Sequence, residues 1–167
     1  MLINSLKNQF SIHFKMIEKI IEICPIELWN KKASGSVFWQ QLVHIFCGMN
    51  YWLRDEKLNE YPFSIINGKN IYPELLDKEP EIILSKDDIK KCCNETKETV
   101  EKWFLEKDDD WLKSPYKIYT KITNFDQTNS QLKQLLYHIG HCEAIFRENE
   151  IETGEFWTMI DKDGRYI

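Results

Sequence analysis

Four stretches of this chain carry apolar residues at the 3.6-residue period, and no strand-type alternation is long enough to build a sheet. That pattern confines the chain to helix-on-helix packing. In the first stretch, Leu2, Leu6, Phe10, His13/Phe14, Ile17 and Ile20/Ile21 form a stripe that Pro25 stops. The second opens after "ASGS", where Ser34 or Ser36 can cap, and continues through Val37, Gln41, His44, Gly48 and Tyr51. The third starts at "SKDD", a serine cap followed by acids that suit the helix dipole, and runs through Ile89, Val100 and Phe104. The fourth opens near "TNSQ", with Leu132, Leu135/Leu136, Ile139 and Ile145/Phe146 as its stripe. The periods predict helices over 2–23, 36–55, 86–107 and 128–149. They imply an all-α fold: a four-helix bundle forming a single domain over 1–167.

The connections are unequal. A short turn holding "PIELWNKKASGS" joins helices one and two, whereas "EKLNEYPFSIINGKNIYPELLDKEPEIIL" separates helices two and three. A crossover of that length is functional or carries small elements of its own, and Asn67-Gly68 is a turn signal within it. A second irregular stretch, "DDDWLKSPYKIYTKITNFD", precedes helix four. Its start, "KDDDW", lacks the spaced acids and terminal glutamate of a calcium loop and reads as a solvated turn.

Hydrophobic residues make up 43% of the 167, enough to bury a core without staples. Net charge is −5 with the two signs mixed along the chain, so no basic stripe marks a nucleic-acid partner. Cys24, Cys47, Cys92, Cys93 and Cys142 form no C-x-x-C pair and read as small apolar residues of a reducing compartment. The first twenty residues lack the apolar run and cleavage site of a signal peptide. No stretch approaches the roughly 20 apolar residues of a membrane span. A soluble, cytoplasmic protein is expected.

The chemistry-bearing residues are histidines. At about 100° per residue, Gln134, His138 and His141 lie within roughly 60° of one another on helix four. His44 stands on helix two in line with Gln41 and Gly48, and glycine there leaves space beside the imidazole or lets a helix come close. Neutral imidazole is the commonest protein ligand for transition metals, and bundle-core sites are built from facing helices. Against that, a single histidine on an apolar helix face is ordinarily a core residue with one hydrogen bond. A His-x-x-His pair also suits one ion less well than an i,i+4 pair. His13 shares the first helix's apolar side and belongs to the core.

The segments "SVFWQQLVHIFCGMNYWL" and "QLKQLLYHIGHCEAIFRENEIETGEFW", with the trailing Trp157, resemble the DinB-like (DinB/YfiT-like) superfamily. The resemblance implies a four-helix bundle with a long crossover between helices two and three, and a homodimer. It also implies a divalent metal (nickel, zinc or iron) held by one histidine on helix two and two on the last helix. Some members are transferases or isomerases that use a low-molecular-weight thiol: bacillithiol, mycothiol or glutathione. By this resemblance His44 matches the helix-two ligand and His138 the later histidine of the family's His-x-x-x-His. The earlier position falls on Gln134, where this sequence departs from the pattern. Gln134 can offer a weak amide oxygen, His141 can replace it one turn beyond His138, or the metal is lost.

Gln134 and His141 share almost one azimuth but stand roughly two turns apart, so only one can be level with His44. The family's pattern points to Gln134 for that place. Asp55 lies too far along helix two for a direct ligand, and Glu143 reads as solvated. Arg147 can bind a substrate carboxylate or close the helix C-terminus. Tyr51 and Trp52 read as core or dimer-face aromatics, and Cys47 and Cys142 as buried apolar residues rather than ligands. The resemblance implies a metal-dependent enzyme, a thiol-dependent transferase acting on a small molecule. The alternative is a non-catalytic, metal-free or weakly metal-binding dimeric bundle that binds a small ligand.

Overall fold

The computed structural model describes residues 2–33, 35–57, 64–66, 69–71, 76, 80 and 82–153. Trp157 and most of the predicted crossover, including Pro62 and Pro73, lie outside the described residues. In chain order the elements are α1 (Leu2–Ile23), α2 (Ile26–Trp29), β1 (Lys32–Ala33), β2 (Ser36–Val37), α3 (Phe38–Trp52), β3 (Ser64–Ile66), β4 (Lys69–Ile71), α4 (Lys86–Phe104), α5 (Asp109–Lys113) and α6 (Asn124–Glu148). The chain is mostly helical, as the apolar periods require. Strands β1 and β2, and likewise β3 and β4, form two separate antiparallel pairs. The β3–β4 register, Ile66 opposite Lys69, brackets the Asn67-Gly68 turn signal.

Each of the four long helices packs on two others: α1 and α3 both lie against α4 and against α6. Their apolar stripes meet in one core, where Ile17, Leu42, Ile89 and Leu135 are fully buried. Phe38 stacks on Phe146 with ring centroids 5.2 Å apart, and buried Trp29 donates its indole N–H to the Leu84 carbonyl at 2.7 Å. Helices α3 and α6 run antiparallel. Phe38 meets Phe146 at one end, Gln41 meets His138 midway, and Trp52 meets Gln127 at the other end.

The helix starts depart from expectation in two instructive ways. Ser36 is not the cap of α3: it sits in β2, behind a turn at Gly35 whose φ of +99° favours glycine. The cap is Val37, whose N–H donates to the Gln40 amide oxygen at 2.7 Å. Helix α6 begins about a turn earlier than "TNSQ", because Thr123 caps it and Asp126 reaches back to the Thr123 N–H. Helices α3 and α4 also end three residues before the predicted 55 and 107. Ser85 caps α4 as expected.

The "KDDDW" segment is a short helix rather than a solvated turn. Asp108 caps α5 itself, and the Asp109 carboxylate accepts from the N–H groups of Leu2 and Ile3 at 3.0 and 2.8 Å. Those donors are orphans at the start of α1, so Asp109 caps one helix from another. The Ile3 N–H, followed by its neighbours, holds the Asp109 carboxyl well below the usual carboxylate range.

Candidate functional site

A cavity of about 530 Å³ lies between α3 and α6. His44, Gly48 and Trp52 line it from α3, and Gln127, Gln131, Gln134 and His138 from α6. The spacing explains the gathering: 44, 48 and 52 follow one face of α3, and 127, 131, 134 and 138 follow one face of α6. Tyr119 closes the end beside Trp52, with ring centroids 6.0 Å apart. A Cβ built on Gly48 would meet nothing within 4 Å, so the glycine opens space beside His44. Trp52 thus belongs to the cavity wall, not only to the core or an outer face as its sequence pattern suggests.

His44 and His138 come together across the two helices, with ring centroids 4.9 Å apart. The buried His138 ring is fixed by a hydrogen-bond chain that the sequence reading missed. Ser36 Oγ accepts from the Gln41 amide nitrogen at 2.7 Å. That orients the Gln41 carbonyl oxygen toward His138 Nδ1, at 2.8 Å. An amide oxygen only accepts, so Nδ1 carries the proton and the Nε2 lone pair is left for a metal or a ligand donor. Burial, and after it the neighbouring His44 and His141, pushes the His138 pKa down to about 4, so the ring is neutral near pH 7. Gln41 lay in the predicted stripe beside His44, and its one-turn offset from that histidine was the available signal.

Gln134 lines the cavity, exposed at its rim; His141 does not line it. The antiparallel pairing is the reason. With Gln41 level with His138, one turn along α3 to His44 matches one turn back along α6 to Gln134. His141 lies on the other side of His138, beside Tyr137, with its Nε2 buried and without a hydrogen-bond partner. Among the described residues, no group of three His, Cys, Asp or Glu gathers as a metal site. Two imidazoles and the neutral Gln134 amide oxygen are what the cavity wall offers a divalent ion, and a set with only two nitrogens would hold one weakly.

The other candidates sort by position. Asp55 pairs with Lys107 at 3.2 Å, away from the cavity. Glu143 is buried, contrary to its reading as solvated, because it shares the face of Ile139 and Phe146. Burial raises its carboxyl, Arg147 partly opposes this, and its Oε1 has no hydrogen-bond partner. Arg54 stacks over Tyr51, 4.1 Å from the ring centroid, so Tyr51 holds a cation rather than the cavity. Cys47 and Cys142 are buried as expected, and burial raises the Cys142 thiol. His13 is buried in the core, its Nδ1 on the Gln9 carbonyl.

Compared with models of known protein families, with characterised proteins and with solved structures, the chain finds no match in any of the three. Among the described residues, no helix is long and apolar enough to cross a membrane.

Proposed function

We propose that the chain is a DinB-like four-helix bundle, with the long crossover between α3 and α4, that acts on a small molecule in the α3–α6 cavity. His44 and His138 hold a divalent transition metal there, with Gln134 in the third place. The observation that carries this reading is the His44–His138 pair at 4.9 Å on the wall of a cavity of about 530 Å³. The hydrogen bond from His138 to Gln41 supports it, since metal-binding histidines characteristically fix their other ring nitrogen in this way. When bound, the metal supplies Lewis acidity that generates a thiolate or hydroxide nucleophile at neutral pH. The chain's own residues position the substrate: Gln131 and Gln134 hydrogen-bond it, while Trp52 and Tyr119 shield it from water.

The reaction class is transfer of a low-molecular-weight thiol to an electrophile, in a cytoplasmic homodimer. Exposed Leu136 and Tyr137 on the outer side of α6 offer the dimer an apolar surface. The test measures metal content of untagged protein and thiol conjugation to a chromogenic electrophile, with and without added nickel or zinc. Metal-dependent turnover lost in His138→Ala supports the reading; turnover indifferent to chelator and to His138→Ala overturns it. One observation favours a second reading, a non-catalytic binding bundle. The third place at the imidazole pair is a neutral glutamine, and a neutral amide holds a transition metal poorly.

A further inference from the structure

Gln131 stands out among the cavity residues. It is only 5% exposed, it lines the cavity, and its side-chain amide makes no hydrogen bond among the described residues. Its neighbour Gln127 is different, because that amide already donates to the Trp52 carbonyl. The Gln131 amide N–H and C=O are not sealed in the core but reach the cavity, where both stand open to a ligand that can replace water on them. A carboxamide has donor and acceptor side by side in one plane. Its best complement is a group with the same pair reversed, another primary amide or the N–H/C=O edge of a lactam ring. Two such groups close a ring of two hydrogen bonds, as glutamine does with a nucleobase edge.

The rest of the wall narrows the choice. Trp52 and Tyr119 stand at one end, their ring centroids 6.0 Å apart, and give a flat partner aromatic surface to pack against. At the other end His138 lines the cavity, its Nδ1 already occupied by the Gln41 oxygen, which leaves Nε2 for a ligand. Among the described residues that line the cavity there is no Asp, Glu, Lys or Arg to compensate an ion. A volume of about 530 Å³ admits one such molecule and leaves room for a second reactant.

We infer that the α3–α6 cavity takes an uncharged, flat carboxamide or lactam-ring ligand, paired in its plane with Gln131 and packed against Trp52. The inference rests on the reading of this cavity as the substrate site, and it names the class of the acceptor substrate.

Two matched pairs of probes test it: nicotinamide against nicotinate, and uracil against orotate. Each pair differs chiefly by one ionised carboxylate. Calorimetric titration is done with EDTA present, so that no metal contributes. The amide and the lactam are expected to bind at least tenfold more tightly than their acids. Gln131→Leu should lose at least tenfold in affinity while its unfolding temperature does not fall, because the amide it removes has no partner among the described residues. Gly48→Leu should block the cavity and abolish binding. The inference is overturned if the acids bind as well as the neutral probes, or if neither neutral probe binds at millimolar concentration. Undiminished binding by Gln131→Leu overturns it too, and this variant decides the matter should Gly48→Leu not fold. Neutral probes that bind to a protein unable to hold nickel or zinc sink only the metal-enzyme reading. Metal binding without probe binding sinks only this one.

Discussion

Replacing Gln134 by histidine is the sharpest perturbation of the proposed metal site. The Gln41–His138 hydrogen bond sets the two antiparallel helices level at those residues. At about 1.5 Å rise per residue, His44 then lies about 4.5 Å along α3 from that level, and Gln134 about 6 Å along α6 in the same direction. The two are thus level to within about 1.5 Å. His141 is displaced the opposite way and stands about 9 Å along the axis from His44, out of reach of an ion that His44 binds. Gln134→His therefore places a third imidazole beside the existing pair. It should tighten nickel and zinc binding at least tenfold, or about 1.4 kcal/mol. His141→Ala should change affinity by less than twofold, and His138→Ala should remove it. Competition against a chromogenic chelator at pH 7.5 measures all three variants on one scale. If His141→Ala abolishes binding while Gln134→His has no effect, the level derived from Gln41 is wrong, and the assignment of the third place falls with it.

Gln41→Leu frees the His138 ring and should weaken metal binding 10- to 100-fold with the ligand nitrogens untouched, in the same competition assay; unchanged affinity would show that the ring needs no such partner. Gly48→Ala meets no atom within 4 Å, so removing a helix-interior glycine should stabilise the protein by about 0.5–1 kcal/mol in urea unfolding; a loss of stability would mean the space beside His44 is not open. Trp29→Ala empties a fully buried site and orphans the Leu84 carbonyl, and should cost about 3–5 kcal/mol; a cost under 1 kcal/mol would place Trp29 outside the core. For buried His13, burial lowers the pKa below 6.5 although the Gln9 carbonyl opposes it. The unfolded chain thus binds the proton more readily, and stability falls as pH drops from about 6.5 toward the folded value. His13→Leu should flatten that acid limb of the urea-midpoint profile; an unchanged limb would refute the assignment.

The apolar stripes were enough to place the long helices, because core burial of Ile17, Leu42, Ile89 and Leu135 repeats at helical spacing. They failed where polar residues are buried. "TNSQ" read as the start of the last helix, yet Thr128 and Gln131 are buried within it. Thr128 is satisfied by the Asn124 carbonyl and the Trp103 indole N–H, partners that a sequence does not display. Glu143 failed for a related reason: a carboxyl ordinarily stays in water, and only its position between Ile139 and Phe146 on one face betrays its burial. The His44–His138 pairing was legible, since both stand on inward stripes. The choice between Gln134 and His141 was not, because it depends on the relative level of two helices, and no spacing within either helix carries that.

Gln41 joins the two readings of the cavity. Its carbonyl oxygen keeps the proton on His138 Nδ1, and burial keeps the ring neutral, so Nε2 is an electron-pair donor at neutral pH. That state suits a metal ion, and it equally suits the N–H of an uncharged ligand. A protonated imidazole would serve neither, because it would repel the ion and would need an anion in a cavity whose described walls carry no carboxylate. The small strand pair that presents Ser36 therefore acts at a distance. Ser36 orients the Gln41 amide, Gln41 sets the tautomer of His138, and the tautomer decides what the cavity can bind. Metal binding with a glutamine in the third place would be weak and exchangeable, whereas hydrogen bonds from Gln131 and to His138 do not depend on it. On the two proposed readings, then, ligand binding depends less on the third place than metal binding does, and the imidazole pair is the part on which the proposed chemistry would draw.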